Sequence, residues 1–326
     1  MRVAFMGTPE FACAPLERLL QSPHEVRFVV TQPSRPKGRG QRPADPPVKR
    51  LAETRGVRVF QPEDPKDPTL PRLIRDEGVD VLVVAAYGRL LPEDVLSAPR
   101  LGCLNVHPSL LPEYRGAAPV QRALMDGRLE TGVTIMKMVR EMDAGPLVAQ
   151  QSLPIHDDDD ALSLSNALSV IGADLLLRVL DDAERSGAIE GVEQDAARAT
   201  YAPRIRKEEG EIDWRETSHK LMFRLRALTP WPGLYTVIAG RRAQILQAEP
   251  IEPDEARRWG AREHWAPGVV TALVKDYGFT VRTGDGHWLL RRIKVEGRAA
   301  VDAAAFVRGT RLVVGRRLAE APDVKS

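Results

Sequence analysis

"VDVLVVAAY" (residues 79–87) packs four valines and a leucine into nine positions with a single charge. β-branched residues in so short a run favour a strand over a helix, and the run is continuous rather than alternating. A strand of that kind is covered on both faces, as in a parallel sheet between two helical layers. "RVAFM" (2–6), "VRFVVT" (26–31) and "GCLNVH" (102–107) read the same way. A helix is expected between the first two, over residues 9–20, with Thr8 as its N-cap and apolar residues at helical spacing. Strands and helices in alternation imply a doubly wound, mostly parallel, Rossmann-like α/β domain whose ligands bind beyond the carboxyl ends of its strands.

At 326 residues the chain exceeds what one core usually organises, so two domains are expected. "ETGVTIMKMV" (130–139) and "PLVAQQSLPI" (146–155) read as two more strands. An amphipathic helix follows from residue 161 to about 185, with Leu164, Leu168, Ile171, Leu175 and Val179 on one stripe. The four aspartates 157–160 before it suit an N-cap and the positive end of a helix dipole without a metal ion. Residues 187–206 loosen into a linker. After a short helix near 217–227 and the turn "TPWPG" (229–233), short strands are expected at 234–239, 242–248, 268–274, 278–282 and 287–295. Such a series indicates a small, OB-like β-barrel. The expected division is a catalytic domain over 1–186, a linker over 187–206 and a basic barrel over 207–326.

The net charge of +2 conceals an asymmetry. Residues 1–203 carry 24 basic and 29 acidic side chains (net −5), whereas residues 204–326 carry 23 and 16 (net +7). A basic C-terminal part suits a polyanionic partner, and a solvated basic surface is the plainer alternative. Two cysteines, Cys13 and Cys103, are too few for a disulfide framework or a four-ligand zinc site. No apolar run approaches the roughly 18 residues of a membrane helix, so a cytoplasmic protein is expected.

The chemistry centres on "LGCLNVHPSLLPEYRG" (101–116). Residues two apart in a strand share a face, so Asn105 and His107 stand side by side at a strand end. Pro108 denies the sheet a donor and ends the strand. Asp143, in the turn-rich "REMDAGP" (140–146), is a carboxylate suited to orient an imidazole or favour its charged form. A satisfied structural histidine remains the alternative on these residues alone. There is no GxSxG elbow, so positioning and proton transfer fit better than covalent catalysis. "MGTPEF" (6–11) lacks GxGxxG and reads as a tight turn rather than a dinucleotide site. The long loop "QPSRPKGRGQRPADPPVKR" (32–50) is rich in Lys and Arg, and phosphate contact is weighed there against a merely solvated loop.

Taken together, "NVHPSLLPEYRGAAPVQRAL", "ETGVTIM" and "MDAGP" resemble the 10-formyltetrahydrofolate-dependent formyltransferase superfamily. "FMGTPEFA", "RPKGRG", "VVAAYGRLLP", "KEEGEIDW" and "TPWPG" narrow the resemblance to the branch that acts on methionyl-tRNA. The resemblance implies formyl transfer from 10-formyltetrahydrofolate, as co-substrate, to the amino group of methionine on initiator tRNA. Asn105, His107 and Asp143 fall on the catalytic positions. Ser109, Leu110, Leu111 and Pro112 fall on a folate-binding segment, and Tyr87 and Gly88 in "AAYGRLL" are expected to add to that wall. Arg39, with Lys37 and Arg42, falls where the family sets a basic loop against the tRNA acceptor stem, and Lys207 matches a lysine near the site. No metal, membrane or stable protein partner is implied. Two readings compete: a formyltransferase for a small amine or sugar nucleotide, and a non-catalytic RNA-binding protein on a Rossmann-like scaffold.

Overall fold

The computed structural model describes residues 1–37, 42–238, 240–262, 264–310 and 312–318. Two compact units emerge, one from 1–120, 129–157 and 163–204, the other from 121–128, 158–162 and 205 onward.

The first unit is built on seven strands: β1 (Arg2–Gly7), β2 (Glu25–Val30), β3 (Val59–Phe60), β4 (Val81–Ala85), β5 (Cys103–His107), β6 (Glu130–Lys137) and β7 (Leu147–Pro154). Their order is β7-β6-β5-β4-β1-β2-β3. The five central and far strands run parallel, and β6 and β7 add an antiparallel edge. The central run is covered on both faces as expected: every residue of β4 is buried. Each fully buried valine or leucine here contributes about 1.5–3 kcal/mol over leaving it exposed.

Local signals were obeyed unevenly. The expected helix over 9–20 is split into a 3-10 turn, Glu10–Ala12, and an α-helix, Cys13–Leu20. Thr8 caps neither; its hydroxyl reaches 3.4 Å to the Tyr87 carbonyl instead, tying the end of β1 to the end of β4. The long helix is Ala161–Ser186. Asp160 caps it as the aspartate run suggested, accepting the Leu162 N–H at 2.8 Å. This helix is long and apolar enough to span a bilayer by composition. Here Leu164, Leu168, Leu176 and Leu180 are buried in the core, while Asp174, Arg178, Asp182 and Glu184 are exposed.

Residues 192–202, expected as part of a linker, are built into the first unit. Val192 bridges to Leu147, and Tyr201–Ala202 pairs in parallel with Arg115–Gly116. The Thr200 hydroxyl accepts the Tyr114 N–H at 2.8 Å.

The second unit carries an antiparallel sheet of β8 (Leu234–Ile238), β9 (Arg241–Ile251), β10 (Val270–Val274), β11 (Gly278–Arg282) and β12 (His287–Val295), with Val301–Asp302 paired to β12. The order along the sheet is β8-β9-β12-β11-β10. Register shifts bend β9 around Gln247 and β10 near Val270. "KEEGEIDW" forms its border: Trp214 is buried edge-on against Trp288 and donates its indole N–H to Thr236 at 3.2 Å.

Candidate active site

A cleft of about 480 Å³ opens over the ends of β4 and β5. Its apolar wall includes Tyr87, Leu90, Leu91, Leu96, Met136 and Met138, and its polar groups include Asn105, His107 and Asp143. That volume and mixed lining fall in the range of small-molecule sites, about 300–1,000 Å³.

The period of two in β5 puts Asn105 and His107 on one face. The turn after β6 leaves the sheet beside Cys103, where the Met138 N–H donates to the Cys103 carbonyl, and folds back over that face. It delivers Asp143. The carboxylate accepts the Asn105 side-chain N–H at 3.4 Å on Oδ1 and the Gly116 backbone N–H at 2.8 Å on Oδ2. His107 is buried, and its Nδ1 faces Asp143 Oδ2 at 3.8 Å. Its Nε2 lies 3.0 Å from the Tyr114 carbonyl. A carbonyl can only accept, so Nε2 carries a hydrogen and Nδ1 is the nitrogen left for chemistry.

The backbone around these groups is unusual. Ala86, Tyr114 and Asp143 have φ of 48°, 58° and 52°, the left-handed region that residues with a Cβ seldom enter. Gly145 closes the Asp143 turn where no side chain fits, since a Cβ there would meet the Lys137 carbonyl oxygen at 1.9 Å.

The four residues of the SLLP segment lie behind this cleft rather than on its wall. Ser109 is buried and its hydroxyl donates to the Glu113 carbonyl at 2.7 Å. Leu111 is buried, with its N–H on Thr134 Oγ1 at 3.1 Å, and the Gln150 amide donates to its carbonyl at 2.8 Å. Leu110 packs against Gly132, and the Leu111–Pro112 peptide is cis. These contacts fix the backbone that follows His107. Tyr87 and Gly88 do line the cleft, the Tyr87 ring also joining a buried cluster with Met6, Phe28 and Val84.

Of the basic loop, Arg39 lies outside the described residues. Lys37 and Arg42 pair through their backbones in a ribbon of Arg35–Lys37 with Arg42–Ala44. Lys207 belongs to the second unit, exposed at the start of the 3-10 helix Lys207–Gly210.

Sequence reasoning missed Arg115 and Gln194. The Gln194 amide donates to the carbonyls of Asp143 and Gly145 at 2.9 and 2.7 Å and accepts from Arg115 Nε and Nη2 at 3.0 and 2.6 Å. Arg115 sat within a quoted motif and had a signal; Gln194, in a segment without periodicity, had none. Neither cysteine takes part. Burial pushes the Cys103 thiol up to about 12 and, with help from Glu10, that of Cys13 to about 11.

Fold and site together define a formyl transferase: the formyl transferase family model matches residues 1–180, and its C-terminal domain model matches residues 204–311. The methionyl-tRNA formyltransferase of Thermus thermophilus is 44% identical over 98% of this chain and 100% of its own length. That of Thermosynechococcus vestitus is 43% identical over 99% of each. The chain belongs to the methionyl-tRNA formyltransferase family. Its fold is also that of HypX from Aquifex aeolicus, solved in complex with tetrahydrofolic acid, with a TM-score of 0.61 at 19% identity over 95% of this chain. The chain spans about half of that protein, 47%.

Proposed function

We propose that the chain moves the formyl group of 10-formyltetrahydrofolate to the α-amino group of methionine on initiator tRNA, with Asn105, His107 and Asp143 as its catalytic groups. The observation that carries this reading is the convergence of Asn105, His107 Nδ1 and Asp143 on one cleft. The folate supplies an activated formyl carbon when bound, and the apolar wall from Tyr87 to Met138 suits a flat ring system.

As the neutral amine attacks, negative charge grows on the formyl oxygen. Asn105 Nδ2 and the charged His107, through Nδ1–H, stabilise it, and each such donor is worth about 3–4 kcal/mol in the transition state. Asp143 holds the positive imidazole beside it and accepts the proton the amine releases, directly or through a water; as the oxyanion collapses, the bond from the formyl carbon to the folate N10 breaks and that proton passes to the departing nitrogen. Proton transfer of this kind contributes about 10²–10⁴ in rate. Ser109, Leu110, Leu111 and Pro112 act on the folate indirectly by fixing the chain after His107, while Tyr87 and Gly88 meet it directly.

The acceptor is a polyanion, and the basic second part of the chain suits it. The bulged strands β9 and β10 support an OB-like curvature for that sheet. We assign Lys37, Arg39 and Arg42 to contact with the acceptor stem and Lys207 to the same tRNA, on the family likeness of the segments that carry them. The test is transfer of labelled formyl from the folate to methionyl-tRNA, run beside a small-amine acceptor and beside the Arg39→Glu variant. Selective labelling of the tRNA, weakened through KM in the variant, is expected; labelling of the small amine alone would overturn the assignment.

A further inference from the structure

We propose that Gln194 is a positioning residue that holds Asp143 in its working orientation by bracketing the Asp143 turn to Arg115. The inference rests on the catalytic role given to Asp143 above. All the hydrogen-bonding capacity of one side-chain amide is spent on this bracket. Both N–H groups of Gln194 go to the turn, on the carbonyls of Asp143 and Gly145, and its oxygen takes two bonds from the Arg115 guanidinium.

The geometry closes on itself. Arg115 holds Gln194, Gln194 holds the Asp143 backbone, and the Asp143 carboxylate takes the N–H of Gly116, the residue next to Arg115. Backbone and carboxylate of Asp143 are thus tied to the same dipeptide. That dipeptide is itself anchored, with Arg115 buried and Arg115–Gly116 paired to Tyr201–Ala202. Such restraint is needed because Asp143 sits at φ 52°, a conformation the surroundings must impose. The turn bearing it is exposed at Arg140, Glu141 and Met142, so packing on that side does not hold it. With the bracket gone, the turn relaxes and the carboxylate loses its aim at Asn105 and His107.

Gln194→Met keeps the length of the side chain and removes every polar atom of the bracket. It is expected to lower kcat about 10- to 100-fold, the cost of misplacing a reacting group by about 1 Å, with KM for the folate donor unchanged. In an Asp143→Asn background the same change is expected to cost nothing further, because there is no carboxylate left to aim. A side chain that only supports the fold would cost the same factor in both backgrounds. Gln194→Glu, which keeps both Arg115 bonds and loses the two donors to the turn, is the second variant should the methionine chain fail to fold. Wild-type kcat in the variant that folds, with Asp143→Asn impaired, would overturn the bracket and leave the catalytic reading standing; so would an undiminished loss in the Asp143→Asn background. Full activity in Asp143→Asn alone would instead sink the catalytic reading and, with it, the purpose of the bracket.

Discussion

The cleft of the first unit and the sheet of the second are stabilised by opposite means. Around the cleft, Ala86, Tyr114 and Asp143 are held in left-handed backbone, and buried Thr134 and Arg115 are fixed by polar partners, Thr134 by Ser109 and Gln150, Arg115 by Gln194. In the second unit Asp276, at a surface turn, is the one such non-glycine position among the described residues. Its sheet rests on antiparallel pairing, bulged at β9 and β10, on the Trp214–Trp288 contact and on a buried Thr271–Thr280 hydroxyl pair at 2.7 Å. A reacting centre must place a few atoms against their local preferences, and the rest of the unit offsets that cost. The second unit, for which we propose a polyanionic partner, needs for that role only a firm scaffold carrying charge.

The largest effect tests that contrast directly. Alanine at His107, Asn105 or Asp143 is expected to cut kcat by about 10²–10⁴. Asp143→Asn should do so with little change in melting temperature, because the amide keeps the size of the side chain and an oxygen that can accept the Gly116 N–H. Steady-state kinetics with thermal denaturation read both quantities. Near wild-type kcat in all three would mean that the polar cluster is structural, and the contrast would collapse.

Two glycines sharpen it. Gly145 cannot accept a Cβ, which would fall 1.9 Å from a backbone oxygen, so Gly145→Ala must open the turn that carries Asp143. A loss on the order of 2–3 kcal/mol is expected, together with most of the activity. Gly297 follows β12, has φ 76° and faces open space. Gly297→Ala is expected to cost about 1 kcal/mol, the penalty for a left-handed alanine, and to spare kcat. Equal losses in a urea titration would show that the cleft backbone is no more constrained than a surface turn.

The sequence disclosed most of the architecture because its strongest signals are periodic. The buried run at 79–87 set the parallel sheet, the stripe from Leu164 to Val179 set the long helix, and the alternation of Asn105 with His107 put both side chains on one cleft. What escaped was either short or non-local. Strand β3 has two residues, too few for any period. Thr8 looked like a cap because Ser and Thr often cap, yet the tertiary partner Tyr87 competed for its hydroxyl. The SLLP segment carries a strong family likeness, but which way Ser109 points depends on Thr134 and Glu113, and no pattern in residues 109–112 encodes that. Gln194 lies 51 residues from Asp143 in a stretch without periodicity, so only the folded chain brings its amide to that turn.

The smallest effect belongs to the second unit and asks whether its charges serve the scaffold as well as a partner. Glu209 takes two bonds from the Arg122 guanidinium, at 2.6 and 3.0 Å, and one from the Arg206 N–H at 2.7 Å. The Arg122 guanidinium holds the Glu209 carboxyl below the usual carboxylate range, outweighing the opposite push of burial. A depressed value in the folded state means that folding favours the ionised form. The stabilisation is present above the unfolded value, about 4.3 for glutamate, and is lost as pH falls through the lower folded value. Glu209→Gln is therefore expected to cost about 1 kcal/mol at neutral pH, as for a partly exposed pair. The gap between variant and wild type should narrow as pH falls below about 4 and close only below the lowered folded value, where the glutamate too is neutral. Melting temperatures across pH 3 to 7 measure it. A gap that stays constant over that range would remove the ion pair from the scaffold and leave strand pairing and core packing to hold the second unit together.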